Sequence, residues 1–303
     1  MKAGTVRGSG RMLKHLDFEQ VSAGFPSDSA KDSRSANRYK TTSRYTERRL
    51  LELRAALSER DLQIISTLAR VRVATGAQIE ALHFANVTPR MARKRLSSLT
   101  DLRVLSRLPR AIGGGRAGSS GYVYTLGVAG QRLADLARDG RVRRPWALGT
   151  RFLTHSLAIT DVYARLVLAE RSGSLRVVRF VGEPSCWRNF FGPGGSPATL
   201  KPDAYAVLLM GGYEDHWFFE IDLDTEHAPA IGRKCATYRG YWRSGYEEAR
   251  TGLFPRVLWL VPDVRRSEVV RKVISHQPSE AAELFDVALL DAVVERVLRG
   301  AAP

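Results

Sequence analysis

Cysteine is nearly absent from this chain: Cys186 and Cys235 are the two among 303 residues, and no C-x-x-C pair occurs. Two thiols cannot staple a disulfide scaffold or build a four-cysteine metal site, and both read as small buried hydrophobes in a reducing compartment. Long apolar runs are missing too. No stretch approaches the roughly 18 residues of a membrane span, and Met1 to Gly10 has no apolar segment behind its charges. A soluble cytoplasmic protein without a membrane partner is expected. Acidic residues are scarce in one half only: residues 1–150 hold 28 Lys and Arg against 12 Asp and Glu, whereas residues 151–303 hold 19 of each. The whole formal charge of +16 therefore lies in the first half. Clustered Lys and Arg gain from counterion release on phosphates, so that half is expected to meet nucleic acid, although an Arg-rich solvated surface gives the same count.

What is present is enough apolar content, 44%, for two modest cores. Residues 1–47 are rich in Gly, Ser, Arg and Lys without periodicity and read as a disordered basic arm. Periodicity begins near Arg48. Ser58 and Asp61 have capping-box spacing ahead of a stripe of Leu62, Ile65, Leu68 and Ala69. Thr75 caps a second helix to Phe84, and Thr88-Pro89 opens a third to about Leu99, with Ala92, Leu96 and Leu99 on one face and Arg90, Arg93, Lys94 and Ser97 on the other. Two alternating runs follow, residues 104–108 and 122–126, joined by the Gly-rich 109–121. Three helices closed by a hairpin spell a winged helix-turn-helix over residues 48–145. In that arrangement the third helix enters the major groove of double-stranded DNA, and a wing carrying Arg107, Arg110 and Arg116 touches the backbone. Winged helices also serve as protein-interaction modules. A further helix, 128–138, and a boundary at 141–145 close this part.

The second part, residues 150–303, reads as an amphipathic helix over 150–171 and strands at 175–181, 204–210 and 216–223. A helix over 228–242, a buried strand at 257–261, and helices at 264–275 and 285–298 complete it. The fold class is α/β in this part, α+β overall. The order α-β-β-β-α-β puts Pro202-Asp203 at one strand's entry and Glu220-Ile221-Asp222 at the end of the next. Residues two apart in a strand share a face, so Asp203, Glu220 and Asp222 form a candidate oxygen site for Mg²⁺ or Mn²⁺. Such an ion activates water against a phosphodiester. Glu183 is a candidate outer carboxylate or a solvated loop acid.

With those residues in that frame, the second part resembles the PD-(D/E)xK nuclease superfamily and its restriction-endonuclease-like core. The resemblance implies that Asp203 and Glu220 bind metal and that a lysine two residues after the Glu orients water. Here Asp222 stands at the lysine position. Some members move the lysine to the following helix, where this chain has Lys234, with Arg233 beside it. A basic arm, a winged helix and the segment FFEIDLDTE, followed by Lys234, Tyr238 and Tyr241, resemble the replication-relaxation family of bacterial plasmid and mobile-element proteins. That resemblance implies DNA relaxation, mobilisation or replication initiation, by a metal-dependent nickase or by a non-enzymatic DNA-binding regulator with a degenerate nuclease fold. A winged helix often works as a dimer on two half-sites, so a homodimer is a further expectation, as are partners among replication or conjugation proteins.

Several residues carry two readings. His155 contacts a scissile phosphate or pairs with a carboxylate. Tyr238, Tyr241 and Trp242 stack on bases, supply a nucleophile, or pack. Thr225-Glu226 caps the next helix. His216 and His227 match no zinc spacing, and Gly113 to Gly115 lacks the Gly-Lys-Ser/Thr of a phosphate loop.

Overall fold

The computed structural model describes residues 46–108, 121–136 and 150–300; the basic arm to residue 45, Arg110, Arg116, Gly113 to Gly115 and the boundary at 141–145 lie outside them. The first core is built from helices whose starts are written in their caps. Helix α1 (Glu47–Ala56) is followed by α2 (Glu59–Val71), where Ser58 accepts from the Asp61 amide and Asp61 accepts from the Ser58 amide at 2.8 Å. Strand β1 (Val73–Thr75) runs into α3 (Gly76–His83), which carries a second capping box between Thr75 and Gln78. Helix α4 (Pro89–Asp101) starts at its proline, although the Thr88 side chain makes no cap bond. Strands β2 (Leu105–Leu108) and β3 (Val123–Leu126) form the expected antiparallel hairpin, and β1 adds to β3 as a third strand. Helix α5 (Val128–Leu136) closes the unit. Ile64, Leu68, Ile79, Ala92, Leu96, Leu99 and Leu105 fill its centre.

Helix α6 (Thr150–Arg171) leads into β4 (Arg176–Gly182), β5 (Arg188–Phe191), β6 (Pro197–Leu200), β7 (Ala204–Met210) and β8 (Tyr213–Ile221). Helices α7 (Ala228–Arg243) and α8 (Tyr246–Thr251), strand β9 (Arg256–Val261), helices α9 (Val264–Ser275) and α10 (Ser279–Ala282), strand β10 (Phe285–Leu289) and helix α11 (Val293–Gly300) complete the chain. Five strands form one sheet in the order β10-β9-β8-β7-β4. The β4, β7 and β8 meander is antiparallel, and β9 and β10 are parallel to β8. Side chains alternate between two apolar layers. Trp217, Phe219, Leu258 and Leu260 face α6 and α11, whereas Phe218, Val257, Trp259 and Val261 face α7 and α9.

Several expectations need correction. Residues 285–298 are not one helix: Phe285 to Leu289 pair in parallel with β9, and Phe285 and Val287 bury on one face in strand alternation before α11 begins. Strand β8 stops at Ile221, so Asp222 lies just beyond it, and the β5–β6 hairpin occupies 188–200, where no element is expected. On α6, Leu168 is exposed.

Helix α6 joins the two units. Thr160 donates to the Val73 carbonyl at 2.6 Å, the Gln78 amide donates to the Leu157 carbonyl at 3.2 Å, Arg70 donates to the Tyr163 hydroxyl at 2.9 Å, and Arg171 donates to the Ala81 carbonyl at 2.7 Å. Length and composition alone would let α6 cross a bilayer, but half of its apolar window is buried and Val162 and Leu166 are fully enclosed.

Candidate functional site: carboxylates at the ends of three strands

The ends of β4, β7 and β8 meet where the acids stand. Glu183, just past β4, donates its amide to the Asp203 carbonyl at 2.9 Å, and Asp203 donates its own amide to the Phe219 carbonyl at 3.1 Å. The Asp203 side chain is nearly buried. Its Oδ2 accepts the Ile221 amide at 2.7 Å, and its Oδ1 lies 3.0 Å from Nε2 of His155 on α6. His155 therefore pairs with a carboxylate. Burial works against the imidazolium, but the hydrogen bond to Asp203 and its charge carry the His155 pKa upward overall.

Glu220, at the end of β8 beside Asp203, is fully buried under α7. Helix α7 supplies both of its donors from positions four apart, which share one face of a helix. Lys234 Nζ donates to Oε2 at 2.8 Å and the Tyr238 hydroxyl donates to Oε1 at 2.6 Å. Lys234 also bridges to Glu226 at 2.8 Å. Burial pushes the Glu220 carboxyl up to about 7, with the Asp203 charge adding to that and Lys234 and Tyr238 opposing it. The Lys234 ammonium loses water on burial, but Glu220 and Asp203 hold its pKa above the ordinary lysine value. Burial and the Asp203 charge also raise Glu183. One oxygen of Glu183 and one of Glu226 are buried without a hydrogen-bond partner. Lys234 thus stands between Glu220 and Glu226, and His155 against Asp203 with Glu183 close by.

Asp222 does not join them. It shares the Glu220 face of the sheet, but Arg266 on α9 donates to its Oδ2 at 2.9 Å and the Thr225 amide to its Oδ1 at 3.2 Å. Among the described residues no three His, Cys, Asp or Glu side chains stand together to hold a metal ion. Tyr238 and Tyr241 are buried, the first on Glu220 and the second on Glu247, so neither ring is open to a base. Glu226 serves Lys234 rather than the start of α7, where His227 takes the cap position. His216 is buried against the Tyr205 hydroxyl at 2.9 Å. Both cysteines are buried and unpaired.

On the first unit, Arg90, Arg93 and Lys94 are exposed along α4, opposite buried Ala92, Leu96 and Leu99. Arg107 is half-buried and lies over the Tyr122 ring at 4.5 Å. Two further contacts have no cue in residue spacing. Asp61 caps α2 and also accepts from Arg95 Nε of α4 at 2.8 Å, and buried Glu247 pairs with Arg188 of β5 at 3.1 Å. Their partners are remote or on elements that periodicity alone does not orient.

A family model described as replication-relaxation matches residues 65–257, close to two thirds of the chain. The chain belongs to the replication-relaxation family. The match runs from α2 through the first residues of β9, so it takes in α4, the Asp203, Glu220 and Lys234 cluster, and the α6 seam between them. Replication-relaxation membership associates the chain with replication or mobilisation of plasmid and mobile-element DNA. No curated protein and no solved structure matches it.

Proposed function

We propose that this protein binds double-stranded DNA in the cytoplasm and nicks it in the course of plasmid or mobile-element replication or mobilisation. In this reading α2, α3, α4 and the β2–β3 hairpin are a winged helix-turn-helix. Residues 150–303 are a PD-(D/E)xK nuclease-like domain. The observation that carries it is Lys234: a lysine absent from its usual strand position arrives from the next helix, 2.8 Å from Glu220 and electrostatically coupled to Asp203.

The donor set suits a hard cation. Mg²⁺ keeps several waters and takes one or two carboxylates together with substrate phosphate, so Asp203 and Glu220 suffice without a third ligand. The surplus of carboxylate over positive charge and the unpartnered Glu183 oxygen support this reading. When bound, Mg²⁺ or Mn²⁺ supplies a water of lowered pKa and polarises the phosphodiester. The chain's own residues do the rest. Lys234 offsets charge that grows on the phosphate, Tyr238 fixes the Glu220 carboxylate, and His155 with the Ile221 amide fixes that of Asp203. Arg90, Arg93 and Lys94 deliver the duplex.

Supercoiled plasmid incubated with the protein and Mg²⁺ or Mn²⁺ is expected to relax to open circles, and Asp203→Ala or Glu220→Ala to lose this. Equal nicking by parent and variants, or none with any metal, leaves the second reading: a DNA-binding regulator or initiator. That reading is favoured by the Asp222–Arg266 pair, which removes one acid from the cluster. Under either, Arg93→Ala and Lys94→Ala each lower the salt slope of duplex affinity by about one.

A further inference from the structure

The β5–β6 hairpin has no place in that scheme. It is inserted between two acids of the cluster, since it leaves the chain after Glu183 and returns at Asp203. From residue 184 to 202 there is no Asp or Glu, in a half of the chain that otherwise balances its charges. Antiparallel pairing of Arg188 with Leu200 through Phe191 with Pro197 sorts the side chains by parity. The inward row packs: Phe190 meets the Tyr241 ring at 5.1 Å, Leu200 is buried, Arg188 bonds buried Glu247, and Cys186 donates to the Pro202 carbonyl. The outward row is different in kind. Trp187, Asn189 and Phe191 are all exposed, Phe191 by 62%, and Lys201 opposite Trp187 holds its ammonium 4.8 Å from the indole centre. Thr199 donates to Asn189 between them at 2.9 Å.

Two flat rings about 13 Å apart along one strand, an amide between them and an ammonium at the end nearest Asp203 form a stacking platform. Unpaired bases offer π-faces to such rings and a phosphate to the ammonium, whereas bases in an intact duplex are already stacked. The absence of acid from residue 184 to 202 suits a polyanion, since the hairpin itself carries no charge to repel it. We propose that the outward face of this hairpin binds a single DNA strand, through Trp187, Phe191 and Lys201, and feeds it toward the carboxylate cluster. The inference rests on the DNA-processing reading for its ligand class and adds that the strand engaged beside the acids is unpaired. Tyr238 and Tyr241, two of the three aromatics that spacing singled out, are core residues. The stacking role passes to Trp187 and Phe191.

The test uses the full chain and two labelled probes, an oligothymidylate and a duplex of the same length, followed by fluorescence anisotropy at one salt concentration. Trp187→Ala and Phe191→Ala are each expected to weaken oligothymidylate binding by roughly five- to a hundred-fold while duplex affinity holds, and Trp187→Phe to retain most of the binding. Arg93→Ala with Lys94→Ala should weaken the duplex and spare the oligothymidylate. The proposal is overturned if the Trp187→Ala, Phe191→Ala double variant binds oligothymidylate like the parent, or if the parent does not bind it. In that last case retained duplex binding keeps the DNA-processing reading alive, and its loss removes both. It is overturned as well if Phe191→Ala changes only how the protein sediments with concentration, since the face would then belong to a protein contact.

Discussion

A carboxylate sealed from water keeps its charge only where the fold supplies the opposite sign, and at Glu220 Lys234 is that supply. With the carboxyl raised to about 7 against 4.5 in the unfolded chain, the native state binds more protons between those values, so stability falls as pH rises from about 4.5 to 7. Lys234→Met removes the principal opposing charge. The Glu220 titration followed by carbonyl carbon NMR should move above 7, and chemical unfolding should show the loss of stability extending to higher pH. An unchanged titration would mean that the ammonium does not govern the carboxylate. At this scale strand parity alone puts Glu220 and Asp222 on one face. Parity cannot say that they are held apart, because the cation that claims Asp222 is Arg266, 44 residues further on. Lys234 is within reach of sequence reasoning, since it stands where a migrated lysine of the resembled superfamily would.

Elements are legible in proportion to how local their signals are. Caps and stripes mark α2, α3, α4, α6 and α9, and the apolar run at 204–210, bounded by Pro202 and Gly211, marks β7 with its bounds intact. Strand β10 is hidden because five residues against a helix-length apolar pattern look like a helix's first turn; only pairing with β9 separates them. The hairpin of β5 and β6 is hidden because Gly and Pro at its tip and Trp and Phe on its outer face break the usual polar-out pattern. The fit between β2 and α5 is invisible for another reason: Gly130 has no side chain to signal with. A Cβ there would stand 2.1 Å from the Val104 carbonyl oxygen. Gly130→Ala is expected to destabilise the first unit by about 1–3 kcal/mol, the range of overpacked cores, despite the better helix propensity of alanine. Thermal melting followed by circular dichroism checks the sign; a stabilised variant would show that α5 can draw back.

Over the whole molecule the division of charge has a structural counterpart. The basic excess of the first 150 residues includes the exposed α4 face, and the balanced remainder spends its cations on buried acids: Lys234 on Glu220, Arg266 on Asp222, Arg188 and Arg250 on Glu247. The two units meet along α6 through hydrogen bonds and through Val71 and Leu82, which belong to the core of the second unit. They should therefore unfold together. Calorimetry is expected to give one transition for the parent and a split or broadened one when Thr160→Val and Arg171→Ala remove the bonds to Val73, Ala81 and Leu82. Two transitions in the parent would mean that the seam is weaker than its contacts. Helix α6 does more than join. His155 faces Asp203 little more than one turn before Thr160 grips β1, so the acids and the first unit are held to a single helix. If the protein reads and nicks DNA as proposed, such a rod is a ruler: whatever sequence α4 selects, a break made at Asp203 and Glu220 would fall a constant number of base pairs away, and the length of that step would be a property of the protein rather than of the site it reads.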